Sequence, residues 1–546
     1  MRSSTLMFFG ACSMLFFAVV SAQGPPADGT SADRVPPALF ETADRCQACH
    51  NGLTTSSGED VSFGRAWRTT MMANAARDPY WHAGVRRESM DFPEAQSAIE
   101  AECSKCHMPM ARLEAHAAGR EGTVFANLPA GTHTTRAGLL AADGVSCAVC
   151  HQIGPDGLGA REHMSGNVQM DLTTPWGSRA VFGPFEVDQG RTTIMRSATS
   201  LEPGQGTHIQ SSEMCATCHT LFTHPLAPGS EPTREMPEQV PYQEWEHSAY
   251  RDTQSCQSCH MPVIEEPVRM SSVWGESREG VSRHDFLGGN FLMMRILGRH
   301  AAELGVSVAP EEFERAADRT IEHLQDASAT LTIERLDRSE GRLAIELAVA
   351  NRAGHKLPTA YPSRRAWIHL DVRDAAGRSI FESGAIGANG AIAGNDHDEA
   401  EGHYEPHYTE IDRPDQVQVY EAVMVDAGDV PTTGLLTAVR FVKDNRLLPD
   451  GFDKATAPYE VAVQGAGATD TDFTGGGDRV RYLVATAGAT GPFTVRAELR
   501  YQSIGYRWAE NLRRYQSFET ERFVRYYDSE ADTSSVILAM ASATSP

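Results

Sequence analysis

The chain has 546 residues, too many for one compact domain of ordinary size and ample to bury a core. Its 48 Lys and Arg against 72 Asp and Glu give a formal charge of −24. A phosphate backbone wants a basic surface, so nucleic acid is excluded as a partner, whereas a basic protein is readily accommodated. The same charge also suits an acidic soluble protein with no such partner.

The first 22 residues carry Arg2, an apolar run from Leu6 to Val20, and Val20-Ser21-Ala22 before Gln23. This is the pattern of a cleaved secretory signal. A permanent anchor is disfavoured because the run is short for a span and a cut site follows it. Lipidation at Cys12 is disfavoured because too few apolar residues precede it. No later stretch is long and apolar enough to cross a bilayer, so the mature protein is expected to be periplasmic or extracellular and not an integral membrane protein. Residues 23–39, with "GPPADGTSADRVPP" from Gly24, read as a flexible lead-in.

Eleven cysteines follow a strict arrangement. Apart from Cys12 they form five pairs, each followed at once by histidine: "CQACH" at Cys46, "CSKCH" at Cys103, "CAVCH" at Cys147, "CATCH" at Cys215 and "CQSCH" at Cys256. Two thiols three positions apart on one helical turn can each form a thioether to a haem vinyl group, and the next histidine then lies under the iron. Zinc ribbons, thioredoxin-like sites and local disulfides also use CxxC, but none requires a fifth-position histidine every time. The sequence therefore predicts five covalently bound haem c groups. Cys46, Cys49, Cys103, Cys106, Cys147, Cys150, Cys215, Cys218, Cys256 and Cys259 would be the anchors. His50, His107, His151, His219 and His260 would be the proximal ligands.

First-cysteine separations of 57, 44, 68 and 41 are too irregular for a solenoid repeat. With so little chain per motif, the porphyrins must supply much of the buried apolar surface of residues 40–300. Short helices are expected to carry the motifs, as in "EAQSAIEAECSKCH", where Ala98, Ile99 and Cys103 recur near helical spacing.

After Leu297 the pattern changes. Pro310 opens a predicted helix with Phe313, Ala317, Ile321 and Leu324 on one face, giving a helical connector over 301–326. From Thr330 the period becomes two: Leu343, Ile345, Leu347 and Val349; Ile368, Leu370 and Val372; Phe493, Val495, Ala497, Leu499 and Tyr501. Residues 327–530 read as a cysteine-free antiparallel β-sandwich and 531–546 as a C-terminal tail, so the predicted class is α+β.

A second axial ligand separates an electron carrier from an enzyme with an open iron. Fifteen of the 20 histidines lie outside the motifs, enough to cap every iron. The distal candidates are His208 in "GTHIQSSEMCATCH", His247 in "EWEHSAY", His284 before the glycine pair of "HDFLGGN", His163 in "EHMSGN", His355 in "NRAGHKLPT" and His407. Met72 in "TTMMANAARDPYW" is the methionine candidate. The glycine pair after His284 would let backbone approach a porphyrin closely. The segment "NDHDEAEGHYEPHYTEID" around Asp396 also reads as a solvated acidic loop or as a site for calcium. His369, alternating with Ile368 and Leu370, is expected to face outward.

With these residues laid out, the chain resembles the multihaem cytochrome c superfamily. "GVSCAVCHQI", "MCATCHTLFTH", "PYQEWEHSAYRDTQSCQSCHMP" and "HDFLGGN", over roughly residues 40–300, look like the branch that includes the tetrahaem electron carriers of nitrification. "GHKLPTAYPSRRAWIHL", "EPHY" and "VKDNRLLPDGFDK" are similar to a β domain appended to exported multihaem cytochromes. The resemblance implies electron transfer through mostly bis-histidine haems, with His247 and His284 in distal positions and His355 and His407 as further ones. The chain departs from the tetrahaem pattern in having five sites and a large extra domain. The expectation is an electron relay with a redox protein as donor and another as acceptor, oligomerisation being left open. The alternatives are a multihaem oxidoreductase acting on a small nitrogen or sulfur species at one open haem, and a β half that serves as a docking module.

Overall fold

Period-two alternation in the second half becomes strands with one face driven inward. In Arg342–Asn351, Leu343, Ile345, Leu347 and Val349 are at most 1% exposed, and Phe493, Val495, Ala497 and Leu499 in Phe493–Gln502 are fully buried. The computed structural model describes residues 39–175, 177–226, 235–339 and 341–545. The expected export signal and nearly all of the lead-in lie outside them.

Two sheets share one core. The larger runs in the order Pro431–Thr432, Val419–Val425, Arg365–Arg373, Phe493–Gln502, Ser535–Ser545, with Ser379–Ser383 and Arg440–Asp444 pairing beside it. The smaller runs Glu410–Ile411, Gly477–Ala485, Arg342–Asn351, Ala329–Ser339. Pairing is antiparallel except for the two-residue contact of Glu410–Ile411 with Gly477–Ala485. Inward residues of both sheets, Leu347 and Tyr482 from one and Leu370 and Leu499 from the other, belong to the same buried cluster. The mixed α+β class is what the chain adopts.

Two expectations need correction here. The segment expected as a C-terminal tail contains the strand Ser535–Ser545, paired along its length with Phe493–Gln502; its alternating small and apolar residues suit an edge position. The stretch 327–530, expected as β-sandwich throughout, also contains a helix, Phe518–Glu530, that lies on Pro79–Asp91 of the first half. The rings of Tyr80 and Phe523 are 4.8 Å apart, Arg86 pairs with Glu519 at 2.9 Å, and Arg522 donates to His82 Nδ1 at 2.7 Å. The described residues accordingly pack as one unit.

The first half is built from short helices. Pro310–Ala327 then follows as read from sequence, with Phe313, Ala317 and Leu324 buried. In Gln96–His107, however, Ala98 is exposed and Glu100 is buried, because the Glu100 carboxylate accepts the backbone N–H groups of Val124 and Phe125. Among the described residues no helix is long and apolar enough to cross a membrane.

Candidate functional site

Each Cys-Cys-His motif ends or forms a short helix: Asp44–His50, Gln96–His107, Cys147–Cys150, Ser212–His219 and Cys256–His260. Helical spacing puts both thiols of a pair on one face and the histidine beside them. All ten cysteines are free thiols. Burial pushes the Cys150 thiol up to about 11 and raises Cys103, whereas the neighbouring Cys215 thiol lowers Cys256 to about 7. Among the described residues no motif gathers three ligand atoms as a zinc ribbon would.

Four of the five motif histidines are held through one nitrogen. His50 Nδ1–H donates to Met270 O at 2.7 Å, His107 to Ala75 O at 3.0 Å, and His151 to Phe182 O at 2.7 Å; His260 makes the same bond to Leu287 O. A backbone acceptor on Nδ1 fixes the tautomer and leaves the Nε2 lone pair free for a metal. Burial holds His107 and His219 near 4 and lowers His50, His151 and His260, so these rings are neutral at pH 7.

Two of these rings face a second imidazole. His284 lies 6.4 Å from His151, centroid to centroid, with 12° between planes, and His355 lies 6.1 Å from His260 with 11°. Two histidine nitrogens on one transition metal, each bonded at about 2 Å, put the ring centroids about 6 Å apart. These pairs therefore fit an iron between them. Nδ1 of His284 is bonded to Ser282 O and that of His355 to Lys356 O, so each also presents Nε2. Burial lowers His355 to about 4 and His284 to about 3. His323, which the sequence reading passed over, stands 6.2 Å from His260 but tilted by 59°, and no hydrogen bond among the described residues orients its ring.

The other candidates are placed as follows. His247 gives Nδ1 to Gln243 O at 2.7 Å and leaves Nε2 free on an exposed ring. His208 gives Nε2 to Ile153 O at 2.9 Å, beside the third motif, which leaves Nδ1. The ring of His163 packs against Gly157, where a Cβ would stand 2.4 Å from it, and its buried Nδ1 has no partner. Met72 accepts the Val145 N–H through its carbonyl, two residues before Cys147.

His407 departs from the distal role given to it. Its Nδ1 accepts from the amides of Gln418 and Asn445 at 3.0 Å, and its Nε2–H donates to Asp470 at 3.0 Å. Both amides are fixed as donors there, since Gln418 Oε1 accepts from Tyr408 N and Asn445 Oδ1 from Glu421 N. Neither ring nitrogen keeps a lone pair for iron. The same tautomer argues against a metal in the buried His407, Asp470, Asp478 group, despite ligand atoms within 4.8 Å of one another.

The acidic loop does not gather carboxylates around a cation either. Asp398 pairs with Arg365 at 2.8 Å, Glu401 with Arg514 at 2.7 Å, and Glu405 accepts the Asp396 and Val417 N–H groups. His369 sits between Glu382 and Glu498 on the face opposite Ile368. The glycine pair after His284 also has another reason: a Cβ on Gly289 would stand 2.5 Å from the Tyr501 hydroxyl, so it is β-half packing that requires glycine there.

The motifs approach one another closely. The Cys46 thiol stands beside that of Cys147, Cys106 beside Cys218, and Cys215 beside Cys256. Cys150 in turn lies within electrostatic reach of Cys215 and Cys218.

A crystal structure of a penta-heme cytochrome c552 from Thermochromatium tepidum superimposes on this chain with a TM-score of 0.52 at 14% identity, covering 93% of this chain and 100% of that one. The chain shares its fold with a multihaem cytochrome c. No family model and no curated protein matches its sequence.

Proposed function

We propose that the mature protein is an exported c-type cytochrome that carries five haem c groups and relays electrons between redox proteins. The observation that carries this reading is the near-parallel facing of His284 on His151 and of His355 on His260 at iron-ligand spacing. Bound haem would supply reversible one-electron chemistry at low-spin, six-coordinate iron. The ten thiols anchor, the five motif histidines ligate, and the backbone carbonyls of Met270, Ala75, Phe182 and Leu287 hold four of those rings in one tautomer. A ligand that stays put in both oxidation states favours outer-sphere transfer over substrate binding.

The thiol contacts support an order of relay that is not the order of sequence. The first motif leads to the third, the third to the fourth, and the fourth to both the second and the fifth. The fourth motif is then the junction. The residues from Arg2 to Ala22 support export, and the formal charge of −24 favours a basic redox partner. The test is expression in a host that attaches haem c, followed by intact mass and spectropotentiometry: five haems, mainly low-spin, are expected. A colourless protein, or one in which most irons bind carbon monoxide, would overturn the reading.

A further inference from the structure

The loop bearing His355 comes from the β half, yet it is fastened from the haem half. Glu244, in the helix Pro241–Glu246, is fully buried. Its Oε2 accepts the Lys356 N–H at 3.1 Å and the Thr359 hydroxyl, and Arg446 lies 2.8 Å from its Oε1 as an ion-pair contact outside hydrogen-bond geometry. Lys356, also fully buried, gives its ammonium to Asp444 at 2.7 Å, and Arg446 grips the same carboxylate through two nitrogens at 2.9 and 2.8 Å. Two carboxylates and two cations thus close a neutral network in the interior. Burial works to raise the Asp444 carboxyl, but the adjacent Arg446 and Lys356 charges hold it below its ordinary value.

The network reaches the iron site through one residue. The Lys356 carbonyl accepts from His355 Nδ1 at 2.9 Å while its N–H is held by Glu244. Glu244 therefore fixes the residue that fixes the tautomer and orientation of the ring. Asn351 bonds the His355 carbonyl at 2.8 Å, and the Tyr250 hydroxyl bonds Arg352 O at 3.1 Å from the haem half.

We propose that Glu244 is a positioning residue: by latching the backbone at Lys356 and Thr359 to the haem half, it holds His355 as sixth ligand of the iron bound by His260. This rests on the reading that His260 and His355 share an iron. The β half is on this account a structural part of the fifth haem site, with a buried carboxylate as the joint. A buried carboxylate partner is costly to remove, because the donors it satisfies are left unpaired. The loop would then sample positions in which the imidazole leaves the metal.

The experiment uses the full-length, haem-loaded protein. Spin state and carbon monoxide binding are measured in wild type, His355→Ala, Glu244→Gln, Glu244→Asp and Thr359→Val. His355→Ala is expected to turn one haem of five high-spin. Glu244→Gln is expected to raise the carbon monoxide-reactive fraction of that same haem about tenfold with haem count unchanged. Glu244→Asp should restore most of the low-spin signal, and Thr359→Val should give a smaller rise. If His355→Ala leaves every haem low-spin, the ligand assignment fails and the inference with it. If His355→Ala opens a haem while Glu244→Gln stays fully low-spin, the assignment stands and the positioning role is wrong. Should Glu244→Gln not accumulate, Thr359→Val decides: an increased high-spin fraction supports the latch, and an unchanged spectrum overturns it.

Discussion

The two halves of this molecule are held together by different means. In the β half, strands such as Arg342–Asn351 bury every second side chain completely, and the core closes with protein atoms alone. In the first half the motif-bearing helices differ: Asp44–His50 buries no residue and Cys256–His260 only Gln257, whereas Gln96–His107 buries Ile99, Glu100, Ala101 and Ser104. The first half packs a smaller apolar cluster of its own, and the least buried motif helices are where the proposed porphyrins would add the most buried surface. The lesson is that most of the β core stands apart from the proposed haem sites, the His355 loop excepted, whereas the first half is arranged around them.

The strongest way to break this comparison is to remove one cofactor. Changing Cys256 and Cys259 to Ser is expected to lower the intact mass by one haem and to expose the first half to protease while the β half resists; limited proteolysis with mass detection reads both. Next in size, His284→Ala and His355→Ala should each convert one iron to high-spin and carbon monoxide-reactive form, with the remaining haems unchanged. If either leaves the spectrum as it was, that pair of rings does not share an iron.

The converse change belongs to the β half. Leu347→Ala deletes a fully buried side chain and should cost about 2–5 kcal/mol. A lower Tm with the haem spectrum intact is the expected result, and loss of haem would show that the halves are not separable as argued. The last effect concerns pH and is small at any one pH step. Burial pushes the Asp478 carboxyl up to about 7, so between about 4 and 7 the folded chain binds a proton that the unfolded chain releases. Stability from this group is present at low pH and falls by at most about 1.4 kcal/mol per unit as pH rises through that window. Asp478→Asn should flatten that slope in urea melts and leave the haems untouched.

Much of this was legible because local chemistry repeats. The five motifs declare themselves by composition and spacing, and alternation at Leu343, Ile345, Leu347 and Val349 gives the strand and its buried face directly. The candidate site was legible only in part, because ligand pairing is a long-range property. His284 follows the last motif by 24 positions yet faces His151, and His355 reaches back from another half of the chain. Nothing local in "HDFLGGN" says which motif histidine it faces. The carbonyl anchors at Met270, Phe182 and Leu287 have no side-chain signature at all, since any residue offers a C=O. His407, a distal candidate by the resemblance, misled for a related reason: Gln418, 11 positions on, and the more distant Asn445 and Asp470 occupy its ring. Glu244 looked like one more helical glutamate in "YQEWEH" until the fold brought Lys356 and Arg446 to it.

The most direct test of the central claim is a haem count coupled to a stepwise reductive titration of the purified mature protein, followed by absorbance and spin state. Five haems per chain, with the irons of His151 and His260 low-spin throughout, is the result this account requires. Fewer than five haems, or zinc at the cysteine pairs, would contradict it.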